Sequence, residues 1–483
     1  MFQAIQILAL IALAVLILRI IPNRHVAAIT GLVLAVLIAL EIISLYLIDS
    51  FVNYQFYTHL NWGDVSAYLF QFIPQFVLAL VLVVIIWQVL LWLCRKSRTA
   101  LSAPRIVDAG LLAGMLLVLC LPNGVLREAH EIYGILTVKN QSFDAALSDL
   151  GIDPEQYPAP ADIQADAGKN ILVISMESLE RGFLGEQFPG LTPNLNRLAG
   201  EYNRFDMPRV YGTGWTAGSL YAHHVGMPAL FKGQGNDFFQ DIEGVQLTGL
   251  GQVLREAGYY TRYIMGKPDF AGTADLLSAY RMPIVSENSS LGKYPESKAG
   301  LNDLDLFEET KLQVLEAVSG DQPFALFLST INSHYPDGIH DPRMEEKIGA
   351  DRGGLEFSVA ALDWLIGDLF DFLSSQGLLD NTVVYLFGDH LLMGRSGKVL
   401  EKLKREHRGL FLITSAESAA LGREPGQAVY IIELPRLIID GAGIQSNARF
   451  ISDFLAEKNL SSFVNENALK LTALNQASVH RSD

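Results

Sequence analysis

The chain has 483 residues, is 50% hydrophobic and carries a formal net charge of −16. That apolar content is too high for an ordinary soluble enzyme, and the acidic balance argues against a nucleic-acid partner. The excess sits in the first quarter of the chain, which points to a membrane anchor followed by a globular part.

Four apolar runs occupy that quarter, at residues 2–21, 26–48, 65–93 and 106–121. A bilayer core needs about 20 helical residues, so the first three runs are long enough and the fourth is marginal. The loops "RIIPNRH" and "CRKSRTALSAPR" are basic, whereas "DSFVNYQFYTHLNWGD" has acids and neither Lys nor Arg. The excess of Lys and Arg on cytoplasmic loops therefore predicts that both termini face outward, with everything after about Leu121 periplasmic or extracellular. A short, uncharged start followed by further spans argues against a cleaved signal peptide. Cys94 and Cys120 lie in or beside the spans, leaving the outward part no disulfide and no cysteine metal site. Glu41 lies inside the second span, where an acid is by default a functional hypothesis, with pairing or a cavity-facing position as its alternative. The expected organisation is a membrane domain of four helices at 1–122, an amphipathic linker at 123–168 and an outward catalytic domain at 169–483.

From Ile171 the pattern changes to strand-like runs, "ILVISM", "YYTRYIM", "FALFLST", "TVVYLFG" and "GLFLIT", alternating with helical ones. Thr192 with Pro193 predicts one helix start, and Gly258 closes another. Such alternation predicts an α/β domain with a largely parallel sheet covered on both faces, in which ligands collect at the carboxyl ends of the strands. Glu177 ends one strand, Asp389 and His390 end another, and His334 follows a third. These are oxygen and nitrogen ligands suited to Zn²⁺, Mn²⁺ or Mg²⁺. In "YGTGWTAGSLYAHHVGMP" a Gly-rich turn leads into a helix beginning near Thr216, offering a hydroxyl and free backbone N–H groups as an anion site. The alternative is that Thr216 only caps that helix. His223 and His224 are adjacent and point to different faces, so they are read as structural.

The set "NILVISMESLER", "YGTGWTAGS", "INSHYPDG" and "FGDHLLM" resembles the sulfatase-fold head-group transferases of bacterial envelopes. That family includes lipoteichoic acid synthase, the lipid A phosphoethanolamine transferases and phosphoglycerol transferase I of osmoregulated periplasmic glucan synthesis, and these motifs are most similar to the last branch. The resemblance implies N-terminal transmembrane helices followed by an α/β alkaline-phosphatase/sulfatase-like domain, anchored in the bacterial inner membrane with the catalytic domain in the periplasm. It further implies that Glu177, Thr216, Asp389 and His390 hold one divalent metal ion, Mn²⁺ first, with Mg²⁺ or Zn²⁺ as alternatives. Thr216 would also be the nucleophile, and His334 would bind phosphate or deliver a proton. The implied reaction moves the glycerophosphate head group of phosphatidylglycerol, through a phosphothreonine, to a periplasmic glucan or related glycan.

Trp215 and Lys267 are candidate substrate contacts, the Trp215 ring as a pocket wall or a platform for a sugar with a packed aromatic as its alternative, and Thr213 and Ser219 compete with Thr216 as nucleophile. The resemblance puts Lys267, Asp269, Asn302, Asp303 and Asp305 in regions where relatives bind head group or acceptor, with solvated loops as the alternative. The basic run Lys402, Lys404, Arg405, His407 and Arg408 would meet lipid phosphates or form a solvated face. No C/S-x-P-x-R pattern occurs, which sets a true sulfatase aside, and Met176 before the single Glu177 favours one metal over two. The alternatives are a phosphoethanolamine or lipoteichoic-acid-type transferase, the former disfavoured by the missing outward cysteines, and a non-catalytic protein that binds lipid or glycan.

Overall fold

The computed structural model describes residues 2–481 apart from 61–72, 101–104, 234–237, 291, 296, 298–299, 321, 395–397, 404–406, 425 and 456–458. The chain divides into two compact units, Met1–Thr137 and Val138–Asp483.

The first unit contains helices α1 (Phe2–Ile20), α2 (Arg24–Ile48), α3 (Ile73–Ala100), α4 (Arg105–Leu119) and α5 (Val125–Leu136). Among the described residues α1, α2 and α3 are long and apolar enough to cross a membrane. The fourth predicted run gives a helix of 15 residues, about 22 Å at 1.5 Å per residue against a hydrocarbon core of about 30 Å. It stops because the chain turns at once, with the Gly124 N–H donating to the Leu121 carbonyl at 2.8 Å. The helices approach closely because their shared face is small: Ala14, Ala27, Ala35 and Ala39 are buried together with Leu18 and Leu90. Arg98 donates to the carbonyls of Leu18 and Ile21, satisfying the end of α1. Glu41 is a paired acid, since its carboxylate accepts the Val52 N–H at 2.8 Å and ties down the turn after α2.

The second unit is built on a seven-stranded sheet. Its strands are β1 (Asn170–Met176), β2 (Asn203–Met207), β3 (Tyr260–Ile264), β4 (Ile284–Val285), β5 (Phe324–Ser329), β6 (Thr382–Gly388) and β7 (Leu410–Thr414), in the order β2-β7-β6-β1-β5-β3-β4. β6, β1, β5, β3 and β4 are mutually parallel. β7 runs antiparallel to both its neighbours, so the predicted strand "GLFLIT" is the exception in a mostly parallel sheet. Every residue of β1 and β6 is buried, as continuous apolar runs in a doubly covered sheet should be. One face packs on α8 (Gly354–Ser375), whose Leu355, Leu362, Leu365, Ile366 and Leu369 repeat at helical spacing in the same core as Leu172, Ile174 and Leu386.

Two sequence expectations are modified by packing. The helix Pro193–Glu201 does begin as predicted, but Thr192 turns its hydroxyl to the Phe183 carbonyl, and Asp363 on α8 accepts the N–H groups of Asn194 and Leu195 instead. The stretch 123–168 is divided rather than free: α5 belongs to the first unit, while Ala146 and Leu147 of helix Phe143–Asp149 are buried in the second and residues 165–166 pair with 445–446.

Candidate active site

The register of three neighbouring strands builds the site. Met176 pairs with Gly388 and Ser175 with Ser329, so the residues just past the carboxyl ends of β6, β1 and β5 emerge side by side. The ladder continues one step further, with Asp389 N–H donating to the Met176 carbonyl and Thr330 N–H to the Ser175 carbonyl, each at 3.1 Å. Glu177, Asp389 and His390 are thereby brought together with one ligand atom each within 4.8 Å of the others, and all three are buried.

Thr216 arrives from a separate segment. The turn before it needs Gly212, whose φ of +83° favours glycine and where a Cβ would press on Leu230 and Pro228 at 3.0–3.1 Å. Helix α6 (Thr216–Val225) then starts with Trp215 at its N-cap and no side-chain cap bond, so Thr216 is not acting as a cap. Its hydroxyl instead lies 3.2 Å from Glu177 Oε2 and 3.3 Å from His390 Nε2. Thr216 is half-buried, while Thr213 is buried and donates to the Val210 carbonyl and Ser219 is fully buried inside α6. Of the three hydroxyls in this segment, Thr216 is the one facing the acids.

Ser178 links the two carboxylates. Its hydroxyl donates to Glu177 Oε1 at 2.7 Å and its N–H to Asp389 Oδ1 at 2.8 Å, a reach made possible by a left-handed backbone with φ of 52°. The Glu177 N–H donates to Thr330 Oγ1 and the Ser333 hydroxyl to the Glu177 carbonyl. His390 Nδ1 lies 3.0 Å from the Leu391 carbonyl, which can only accept, so Nδ1 carries a proton, and Nε2 faces Thr216, Glu177 and Asp389.

The electrostatics follow from burial and proximity. Burial pushes Glu177 upward, but His390, then His334, Ser178 and Thr216 outweigh it and hold the carboxyl below its ordinary value. Asp389 is raised, by burial first and then by the charge of Glu177. Burial lowers His390, and the two carboxylates more than reverse this. Two buried acids and one imidazole thus share a site that calls for positive charge, and the donor set of two carboxylates, one imidazole nitrogen and one hydroxyl fits a divalent cation.

His334 follows β5, is half-buried, and donates from Nδ1 to the Tyr335 carbonyl at 2.8 Å, which leaves Nε2 available. Trp215 is 3% exposed with its indole packed where a Cβ on Gly218 would be 2.9 Å away, so it is a wall of the helix start and not an open platform for a sugar. Lys267 is exposed in the loop after β3. Asp305 is buried and held by Arg343 at 2.7 and 2.8 Å, which removes it from the group of substrate-facing acids. Within the basic run, Lys402 pairs with Glu356 and His407 with Gln187, while Lys404 and Arg405 lie outside the described residues.

Sequence reasoning missed Ser178, and it missed the partner of Arg408. Glu180, wholly buried, accepts the Leu392 N–H at 2.8 Å and the Arg408 guanidinium at 2.6 Å, and the same guanidinium donates to the Leu392 carbonyl. The chain two residues past His390 is clamped by both its polar backbone groups. The signal was the second glutamate of "ESLER", three positions after Glu177.

His223 and His224 are structural, as expected, and they carry a pH prediction. Burial lowers His223 to about 3 and His224 well below its usual value. His224 packs against Phe327, Tyr263 and His223, and neither of its ring nitrogens has a hydrogen-bond partner among the described residues. Between pH 6.5 and 3 the unfolded chain binds protons that the folded one refuses, so stability falls with acidification, by about 1.4 kcal/mol per pH unit for each histidine. The His224→Phe variant is expected to lose about half of this dependence, seen as a shallower fall of Tm between pH 6.5 and 4.5; an unchanged slope would contradict it.

Residues 169–424 match the Sulfatase family. The chain is 31% identical over 261 residues to phosphoglycerol transferase I of Xanthomonas campestris pv. campestris (strain B100), covering 50% of this chain and 37% of that protein. It is 27% identical over 388 residues to phosphoglycerol transferase I of Salmonella paratyphi B, covering 76% of this chain and 47% of that protein. The chain thus spans less than half the length of these curated relatives. Among solved structures, it is similar to the lipoteichoic acid synthase LtaP from Listeria monocytogenes, at 16% identity and a TM-score of 0.46, covering 66% of this chain and 78% of that one.

Proposed function

The chain belongs to the Sulfatase family, and from that premise we propose that it is a membrane-anchored phosphoglycerol transferase that moves the glycerophosphate head group of phosphatidylglycerol to a periplasmic glycan. The observation that carries this reading is the Thr216 hydroxyl at a helix N-terminus, within 3.3 Å of both a carboxylate and an imidazole in a buried set that could hold a metal. The named relatives support the head-group chemistry. The outward catalytic domain is supported by the basic loops of the anchor; it requires the 15-residue α4 to cross as well, with the bilayer thinned around it.

Glu177, Asp389, His390 and Thr216 would hold a divalent cation, which when bound lowers the pKa of a coordinated hydroxyl and screens phosphate charge. Thr216 Oγ attacks the phosphorus of the lipid phosphodiester while the free N–H groups at the start of α6 face the phosphate oxygens. The bond from phosphorus to the diacylglycerol oxygen breaks, and His334 supplies the proton that this oxygen takes up. The hydroxyl proton of Thr216 passes to the acids beside it. An acceptor hydroxyl then attacks the phosphothreonine and gives its proton to His334, which is thereby restored; the bond between phosphorus and Thr216 Oγ breaks, and Thr216 recovers its own proton from the acids beside it. A membrane anchor suits a donor that never leaves the bilayer.

Mass spectrometry of the Thr216 peptide, after the purified protein meets mixed phospholipids with Mn²⁺, tests this against a chelated control. A glycerophosphoryl adduct on Thr216 is expected. A phosphoethanolamine adduct would move the protein to the other transferase branch, and no adduct under trapping conditions would favour a lipid- or glycan-binding protein.

A further inference from the structure

Asp303 opens helix α7 (Asp303–Val318) and is 1% exposed. An aspartate in the first turn of a helix is ordinarily explained by the helix dipole. Here the carboxylate is turned to another segment: Oδ1 accepts the N–H groups of Ile331 at 2.7 Å and Asn332 at 3.2 Å, and the Asp303 N–H donates to the Asn332 side chain at 3.4 Å. Oδ2 has no hydrogen-bond partner among the described residues.

Those two amides lie immediately ahead of Ser333 and His334. On its other side the same segment is tied to the turn after β1, through Thr330 Oγ1 to the Glu177 N–H at 3.0 Å and the Ser333 hydroxyl to the Glu177 carbonyl at 2.6 Å. The segment is therefore held between the metal-ligand turn and the start of α7. That start is itself fixed, because Arg343 bridges Asp305 to Asp341.

We propose that Asp303 is a positioning residue for His334: by accepting two consecutive amides it sets where the imidazole stands relative to Glu177 and Thr216. The inference rests on the reading of His334 as the group beside the transferred phosphate. Burial raises the Asp303 carboxyl to about 7, against the two amides and with help from Glu177 and Asp341. Both amides donate to the one oxygen Oδ1, so the side-chain carbonyl of an asparagine in the same place should reproduce the hold.

The test is a double-mutant cycle on the full chain in detergent, read as turnover of phosphatidylglycerol, with thermal unfolding as the control for folding. Asp303→Ala is expected to lower kcat by about 10- to 100-fold with little change in KM, the size of effect of misplacing one catalytic group. In a His334→Ala background the same change should cost less than about twofold, because the two residues act through one another. Asp303→Asn should stay within about threefold of the parent protein. Should Asp303→Ala fail to fold, Asp303→Ser, too short to reach both amides, takes its place in the cycle. Additive losses, or an asparagine variant as impaired as the alanine one, would overturn the proposal. Failure of the functional reading looks different, as His334→Ala would then keep full activity; in that case the rate at which diethyl pyrocarbonate modifies His334, measured by mass spectrometry, decides the positioning on its own. A change of more than about threefold in Asp303→Ala but not in Asp303→Asn supports it, and equal rates in all three proteins overturn it.

Discussion

Thr216→Ala is expected to reduce phospholipid turnover by roughly 10³- to 10⁶-fold, the range seen when a catalytic nucleophile is removed, while leaving the fold intact. The second half of that expectation comes from the position of the residue. Thr216 is the first residue of α6, is half-buried and makes no capping bond, and alanine is the best helix former. What is lost are two contacts of 3.2 and 3.3 Å, worth about 1–3 kcal/mol in net stability because one of them is to a carboxylate. Tm should therefore shift modestly, with the protein still folded, while activity disappears. Thr216→Ser keeps the oxygen and should keep measurable turnover. Turnover in the alanine variant at the parental rate would remove Thr216 from the chemistry and return it to a helix-start residue.

Arg408→Ala is expected to be among the most destabilising single substitutions in the second unit. Glu180 is 0% exposed, and Arg408 meets it through both Nε and Nη2 at 2.6–3.1 Å. Removing one partner of a buried ion pair leaves the other charge unsolvated and typically costs about 3–5 kcal/mol. The Leu392 carbonyl also loses its donor, so the chain after His390 is released at the same time. Activity should fall with stability, and the metal concentration needed for half-maximal activity should rise. Glu180→Gln, which still accepts the Leu392 N–H without a buried charge, should restore part of the stability in the double variant. Urea unfolding of the four proteins measures this; equal midpoints for parent and Arg408→Ala would show that the pair contributes nothing.

The difference between these two residues shows what was legible in the sequence. Glu177, Asp389 and His390 stood out because each follows an unbroken apolar strand, and a parallel sheet delivers its strand ends to one edge whatever the loops do. Thr216 stood out because glycines precede it and a helix follows. Arg408 looked like one more charge in a basic run, because its partner lies 228 positions away and nothing local announces a buried pair. Ser178 was hidden for another reason: its role depends on a left-handed backbone that serine rarely adopts. The antiparallel strand β7 and its edge partner β2 were equally unreadable as to direction, since periodicity reports burial and not which way a strand runs. In the anchor, the fourth run, expected to be marginal in length, gives a helix of 15 residues, and the first part of the third run, residues 65–72, lies outside the described residues.

The pairing of β1 with β6 also sets a schedule for the growing chain. Ser178 and Asp389 are separated by 211 positions, which at 5–20 residues per second means on the order of ten seconds or more of synthesis between them. Throughout that interval β1 has been made and β6 has not, although every residue of β1 ends up buried between β6 and β5. A nascent chain therefore carries a seven-residue buried-type strand with an unsatisfied edge, the kind of segment that makes a partly made chain prone to aggregate until its partner emerges.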